Sequence, residues 1–181
     1  MKLFLRLEGL ISKRKQKEVQ QLRMQTGKLS KEKKVEEILL SQYDRYFRLA
    51  MSFVHNEADA GDIVQNGAYK AIRSSHLLKE QEFAATWVYR IMLNEIFRFC
   101  RQPKFAPIEE VLTGSSEDKY EDFDLKKALD ALPKEDKTVV LLRYFEELKL
   151  EEISQILQEN ISTVKSRLYR SIKKLRLSLE E

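Results

Sequence analysis

Apolar positions recur along most of this chain at helical spacing, and no segment shows the two-residue alternation of a strand. From Val35 to Phe53, the residues Ile38, Leu39, Tyr43, Tyr46, Phe47, Ala50 and Phe53 predict one helix, with Tyr43, Tyr46 and Phe47 in its core. Asn56 to Gly61 reads as a turn with capping residues, Asp62 to Ser74 as a second helix weakened by Gly67, and Ser74 to Glu82 as a polar loop. Phe83 to Arg101 is predicted as a third helix, ended by Pro103. Phe105 to Tyr120 contains Pro107, Gly114 and Ser115-Ser116 and has the composition of a linker. Beyond it, Asp124 is placed to cap a short helix Leu125–Ala131, which Pro133 terminates, and Pro133-Lys134 opens a helix running to about Glu147. Two further helices are predicted, Leu150–Gln158 and Ser162–Leu179, joined by Glu159-Asn160-Ile161.

The expected architecture is therefore all-α, with two small helical domains. The boundaries fall at a basic N-terminal extension (1–34), a first domain (35–104), an acidic linker (105–121) and a second domain (122–181). Five Gly and three Pro in 181 residues argue against an all-β fold with its many tight turns.

Charge sharpens this division. The net charge of +4 conceals blocks: residues 1–34 carry eleven Lys/Arg against three Glu, and residues 105–124 carry seven Asp/Glu against Lys119. The last twenty residues return to a net of +4, from six Lys/Arg and two Glu. Such alternation suits a protein with nucleic-acid-facing ends and an acidic connector, although ordinary solvated surfaces look the same by charge alone. The N-terminal stretch, with Leu3, Phe4, Leu5, Leu7, Leu10 and Ile11 before the run Lys13 to Lys17, reads either as an arm touching DNA, membrane or polymerase, or as an extension without a role.

Residue inventory makes catalysis improbable. A single cysteine, Cys100, rules out a disulfide framework and a thiolate zinc cage, and it falls on an apolar arc as a core thiol would. His55 and His76 have no partner at metal-ligand spacing, and neither a Gly-rich phosphate loop nor a nucleophile elbow is present. No cofactor is implied. No apolar run approaches the roughly 18 to 20 residues of a membrane span, and Arg6 and Glu8 interrupt any signal-peptide core. A reducing cytoplasm is the expected compartment.

Two helices carry candidate chemistry. The pair Leu150–Gln158 and Ser162–Leu179 has helix-turn-helix spacing. Val164, Leu168, Ile172, Leu175 and Leu179 share one face of the second helix, while Ser162, Ser166, Tyr169 and Lys173 occupy the other, flanked by Lys165 and Arg170. A helix N-terminus favours phosphate, and donors on its first turns reach base edges in the major groove. In the Phe83–Arg101 helix, Trp87, Arg90, Asn94, Arg98 and Arg101 fall within about 80° of arc at ~100° per residue. Val88, Tyr89, Met92, Leu93, Ile96, Phe99 and Cys100 lie opposite. An aromatic beside arginines can stack on unpaired bases and hold the backbone, which suits a strand-separating surface.

These segments resemble a known family. Leu132-Pro133, Val139, Leu142-Arg143-Tyr144, Leu150-Glu151-Glu152-Ile153-Ser154 and Thr163-Val164-Lys165-Ser166-Arg167-Leu168-Tyr169-Arg170 look like the fourth conserved region of the extracytoplasmic-function (ECF) sigma factors of bacterial RNA polymerase. Phe83-x-x-x-Trp87-Val88-Tyr89-Arg90-Ile91-x-x-Asn94 is similar to their second region. Upstream, Asp59-Ala60-Gly61-Asp62-Ile63-Val64-Gln65 and Lys70-Ala71 look like the helix that docks on the polymerase β′ clamp helices. The chain departs from the pattern at Asn66-Gly67-Ala68-Tyr69, at Arg98, at Gln158-Glu159 in the turn and at Ser162.

The resemblance implies an alternative sigma factor that binds core RNA polymerase and directs promoter-specific initiation. Ser162, Thr163, Lys165, Ser166, Arg167, Tyr169, Arg170 and Lys173 would then read the −35 element. Phe83, Trp87, Arg90, Asn94, Arg98 and Arg101 would recognise and melt the −10 element, with His76 in the base-capturing loop. Asp59, Asp62, Ile63, Gln65 and Asn66 would contact the polymerase. Its implied partners are the β′ clamp helices and β flap of core polymerase, promoter DNA, and an anti-sigma factor, often membrane-bound in relatives; no small-molecule substrate is implied. The residues leave two other readings open: a stand-alone helix-turn-helix regulator, and a basic helical protein binding RNA or a membrane surface.

Overall fold

The protein's structure, a computed structural model, describes residues 26, 27, 29–102 and 118–179. The basic run Lys13 to Lys17, the apolar start before it, residues 103 and 104 and residues 105–117 of the predicted linker lie outside the described residues. Among those described, all regular structure is helical.

The first bundle holds four helices. The single helix expected over Val35–Phe53 is two, α1 (29–41) and α2 (Tyr43–Val54), separated at Gln42, whose φ of −120° and ψ of 14° leave the helical region. The Tyr46 hydroxyl donates to the Gln42 side-chain oxygen at 3.1 Å, bracing the break. Helix α3 (Glu57–Arg73) occupies most of the segment read as a turn. Asn56 is its N-cap, accepting the Asp59 amide at 2.9 Å, and Glu57 and Asp59 complement the helix dipole. Capping residues had made a helix start look like a turn. Two 3₁₀ turns, Ser75–Leu77 and Gln81–Phe83, shape the connection to α4 (Ala84–Arg101).

Helices α2, α3 and α4 pack mutually around Tyr46, Val64, Val88, Met92 and Ile96. Each such large side chain contributes about 1.5–3 kcal/mol by leaving water. Gly67 faces into this core: a β-carbon there would collide with Sδ of the buried Met92. The mid-helix glycine that weakens α3 by propensity is what lets α3 approach α4. Tyr43, expected in the core with Tyr46 and Phe47, is instead half exposed and stacked on Phe47 at 6.2 Å.

The second bundle holds α5 (Asp118–Asp130), α6 (Lys134–Val140), α7 (Leu150–Leu157) and α8 (Ile161–Leu179). Asp124 is not a cap; it lies inside α5, within the span Asp118–Asp130. The helix expected to reach Glu147 changes at Leu141 into a π-helical turn ending at Phe145, and Glu147 is left-handed with φ 56°. Val164, Leu168, Ser171 and Leu175 bury one side of α8 against α5, α6 and α7, and Val139, Leu142 and Ile153 complete this core. The bundles touch through α4 and α7.

Candidate nucleic-acid interface

Helix α8 is aimed by the turn before it. Gln158 takes the left-handed conformation (φ 56°, ψ 35°) that ends α7, and the Ser154 hydroxyl donates to the Glu159 carbonyl at 2.6 Å. The Asn160 side-chain oxygen then accepts from the Ser162 amide at 3.0 Å and the Ser162 hydroxyl at 2.9 Å. The departure from a glycine turn thus leaves a left-handed residue in place.

Of the eight residues predicted on α8, Ser162, Thr163, Lys165, Ser166, Tyr169, Arg170 and Lys173 are exposed and Arg167 is half buried. They do not present equal chemistry. Arg170 grips the buried Asp136 of α6. Arg167 binds Glu159 at 2.9 Å and stands 3.8 Å from Asp136. The Ser166 hydroxyl donates back to the Ser162 carbonyl at 2.9 Å, leaving it an acceptor outward. Among the described residues, no carboxylate lies within ion-pair distance of Lys165 or Lys173, so these ammonium groups face solvent uncompensated beside Tyr169.

The α4 face is less open. Asn94, Arg98 and Arg101 are exposed, whereas Trp87 and Arg90 are half buried. The Arg90 guanidinium donates to the Gln155 carbonyl of α7 at 2.8 Å. Arg98 and Lys70 both converge on Glu95, at 2.8 and 2.5 Å. Burial opposes ionisation of Glu95, but the hydrogen bonds and charges of Lys70 and Arg98 outweigh it and hold the carboxyl below its ordinary range. His76 and Phe83 are exposed on the 3₁₀ turns that lead into α4. His76 and Asn94 share a groove of about 440 Å³ with Lys70, Arg73, Ser74 and Ile91. Sequence reading missed Arg73 because it belongs to α3, and only the packing of α3 on α4 brings it to this groove.

The predicted polymerase residues divide as well. Asp62, Gln65 and Asn66 are exposed on α3, Asp59 is half buried, and Ile63 is in the core at 2% exposure. Ile63 supports the helix and has no surface to offer. Beside Gln65 runs an apolar groove of about 690 Å³ lined by Leu39, Leu40, Tyr43, Gly61 and Ala68, with Leu40 82% exposed. Leu40 carried no signal, since a single apolar residue on a helix ordinarily points inward.

The described residues contain no cluster of three or more His, Cys, Asp or Glu placed to hold a metal ion, and no helix long and apolar enough to cross a membrane.

Comparison with known proteins gives the family. Residues 39–105 match Sigma-70 region 2, and residues 122–175 match Sigma-70, region 4. The RNA polymerase sigma factor SigV of Bacillus subtilis (strain 168) is 43% identical over 139 residues, covering 74% of this chain and 84% of that protein. The ECF RNA polymerase sigma factor SigE of Mycolicibacterium smegmatis is 30% identical over 154 residues, covering 78% and 60%. Among solved structures, CnrH in complex with the cytosolic domain of CnrY shares the fold with a TM-score of 0.65 at 20% identity, over 81% of this chain and 87% of that one. The sigma factor RpoE in complex with the anti-sigma factor NepR from Bartonella quintana shares it with a TM-score of 0.64 at 22% identity, over 80% and 96%. The chain belongs to the extracytoplasmic-function subfamily of RNA polymerase sigma factors. It is a transcription-initiation factor that directs RNA polymerase to promoters, and not an enzyme. A stand-alone regulator is not favoured, because both sigma regions are present in order.

Proposed function

We propose that the two bundles divide promoter recognition between them. The α8 surface reads the −35 element, with Lys165 and Lys173 on phosphates, Ser162, Thr163, Ser166 and Tyr169 toward bases, and Arg167 and Arg170 holding the helix. The α4 surface engages the −10 element: Trp87 and Phe83 stack on unpaired bases, Arg90, Asn94, Arg98 and Arg101 follow the strand, and His76 lines the groove for a flipped base. Asp59, Asp62, Gln65 and Asn66, with the apolar groove around Leu40 and Tyr43, dock on core polymerase. The observation that carries this reading is the pair of uncompensated lysines on the exposed face of a capped recognition helix. Electrostatic contacts of that kind position a helix on duplex DNA, and neighbouring polar groups then discriminate bases.

The working site is the cytoplasm, where polymerase and chromosome are. The complexes of CnrH with CnrY and RpoE with NepR support an anti-sigma factor as a partner of this chain too. The test is run-off transcription with core polymerase and a promoter library, comparing wild type with Trp87→Ala and with Lys165→Ala/Ser166→Ala. The first variant should lose open complexes more than initial binding, and the second should lose −35 preference. Equal loss at both steps for Trp87→Ala, or unchanged promoter choice for the double variant, would contradict the division of labour.

A further inference from the structure

Residues of α2, α5, α6 and the π-helical turn line a cleft of about 340 Å³, a size and an inter-bundle position usual for small-molecule sites. Its wall is apolar: Leu49 and Met51 come from α2, Leu125 and Leu129 from α5, and Leu141 and Phe145 from the π-helical turn. None of its lining residues belongs to the α3, α4 or α8 surfaces described above.

The charged groups around this wall are unevenly matched. Asp130 is held by Lys137 of the same bundle at 2.5 Å and by the His55 imidazole at 2.8 Å. Glu146 accepts from Arg45 at 2.8 Å and from Tyr89 at 2.7 Å. Both carboxylates that line the cleft are thus engaged. Arg48 and Lys126 are exposed, and among the described residues no carboxylate lies within ion-pair distance of either. Being exposed and also lining the cleft, they stand at its mouth, one on each bundle.

Uncompensated cations at the mouth of an apolar slot select a ligand with an anionic head and an apolar body. Guanidinium and ammonium groups both bind carboxylates by charge-assisted hydrogen bonds. A dianion is disfavoured, because Asp130 and Glu146 share the cleft and repel the second charge.

We propose that this cleft binds a small amphiphilic monocarboxylate, its head met by Arg48 and Lys126 and its alkyl body lying on Leu49, Leu129 and Phe145. Such a ligand touches both bundles of the folded chain and has no equivalent site once the chain unfolds, so it raises Tm.

The chain has two histidines, and His55 lines the cleft while His76 lines a separate groove. Proton NMR of the full chain therefore carries its own control, with His55→Asn assigning the imidazole signals. Octanoate should shift the His55 signals saturably, leave those of His76 in place and raise Tm; acetate and octylammonium should do none of these. Hexanoate, two methylenes shorter, should bind about tenfold more weakly. The variant Arg48→Ala/Lys126→Ala changes only exposed side chains and should bind octanoate about tenfold more weakly, with its circular dichroism unchanged. Octanol binding as tightly as octanoate would leave an apolar slot without a head-group site and overturn the proposal. It would equally fall if octanoate gave no saturable shift, moved both histidines alike, or bound the double variant as well as wild type. None of these outcomes bears on promoter recognition.

Discussion

Asp136 grips Arg170 at two points: Oδ1 accepts Nη2 at 2.8 Å, and Oδ2 accepts Nη2 at 3.0 Å and Nε at 3.2 Å. Asp136 is 1% exposed, whereas the guanidinium is largely in solvent. The bond joins α6 to the recognition helix, and it fixes the rotation of α8 about its own axis. Bidentate arginine–carboxylate pairs add geometric definition as well as attraction.

Asp136→Ala and Arg170→Ala should therefore lower thermal stability and weaken −35 duplex binding together, and the double variant should be little worse than either. Residues of one ion pair behave non-additively. Strictly additive losses in a double-mutant cycle would show that Arg170 acts on DNA independently of Asp136.

Lys165 and Lys173 should behave differently, because no described carboxylate compensates them. Replacing either with Ala should weaken duplex binding almost uniformly across sequences and reduce the slope of log K against log salt by about 1. A changed sequence preference with an unaltered slope would assign them to bases instead.

Gly67→Ala raises helix propensity by about 1 kcal/mol, but the added methyl meets Met92 in a closed core, where overpacking costs about 1–3 kcal/mol. The net expectation is a loss of about 1 kcal/mol, seen as a lower Tm, and a smaller added loss when Gly67→Ala is made in a Met92→Ala background that leaves room for the methyl. A Gly67→Ala protein more stable than wild type would show that Met92 yields freely.

Gln158 holds φ 56° without being glycine. Left-handed backbone costs a residue with a β-carbon roughly 1–2 kcal/mol, part of which glycine's greater freedom in the unfolded chain cancels. Gln158→Gly should stabilise the protein by ~0.5–1 kcal/mol. An unchanged or lower melting temperature would mean that the Gln158 side chain contributes contacts worth as much as the strain.

His55 ends α2 in a left-handed conformation, with its Nε2 2.8 Å from Asp130. Burial lowers its pKa below the ordinary imidazole value; Asp130 opposes this, while Lys126 and Lys137 add to it, and Arg48 lines the same cleft. Because the folded state disfavours the charged form, the unfolded chain binds the proton more readily. His55 thus leaves stability unaffected above about pH 7 and subtracts from it as pH falls below ~6.5. His55→Asn keeps a residue that tolerates the left-handed cap, so the stability of wild type minus that of the variant should fall between pH 7 and pH 5. A difference that grows on acidification would show the Asp130 pair outweighing burial.

Helical class, the two bundles and the outward side of α8 were legible without coordinates, whereas Trp87 and Arg90 on the expected outward side of α4 are half buried. Periodicity is local: residues three and four apart share a side of a helix whatever the remaining chain does. Tyr169 and Lys173 were placed correctly for that reason, and Asn56 was misread as a turn because capping residues serve turns and helix starts alike. Only tertiary structure decided where the charges go. Asp136 and Glu146 look like surface residues in a list of amino acids, yet each is buried. Their partners Arg170 and Arg45 stand 34 and 101 positions away in the chain. No window along the sequence contains both members of such a pair, and burial of a charge becomes affordable only once the fold has brought its counterpart within bonding distance.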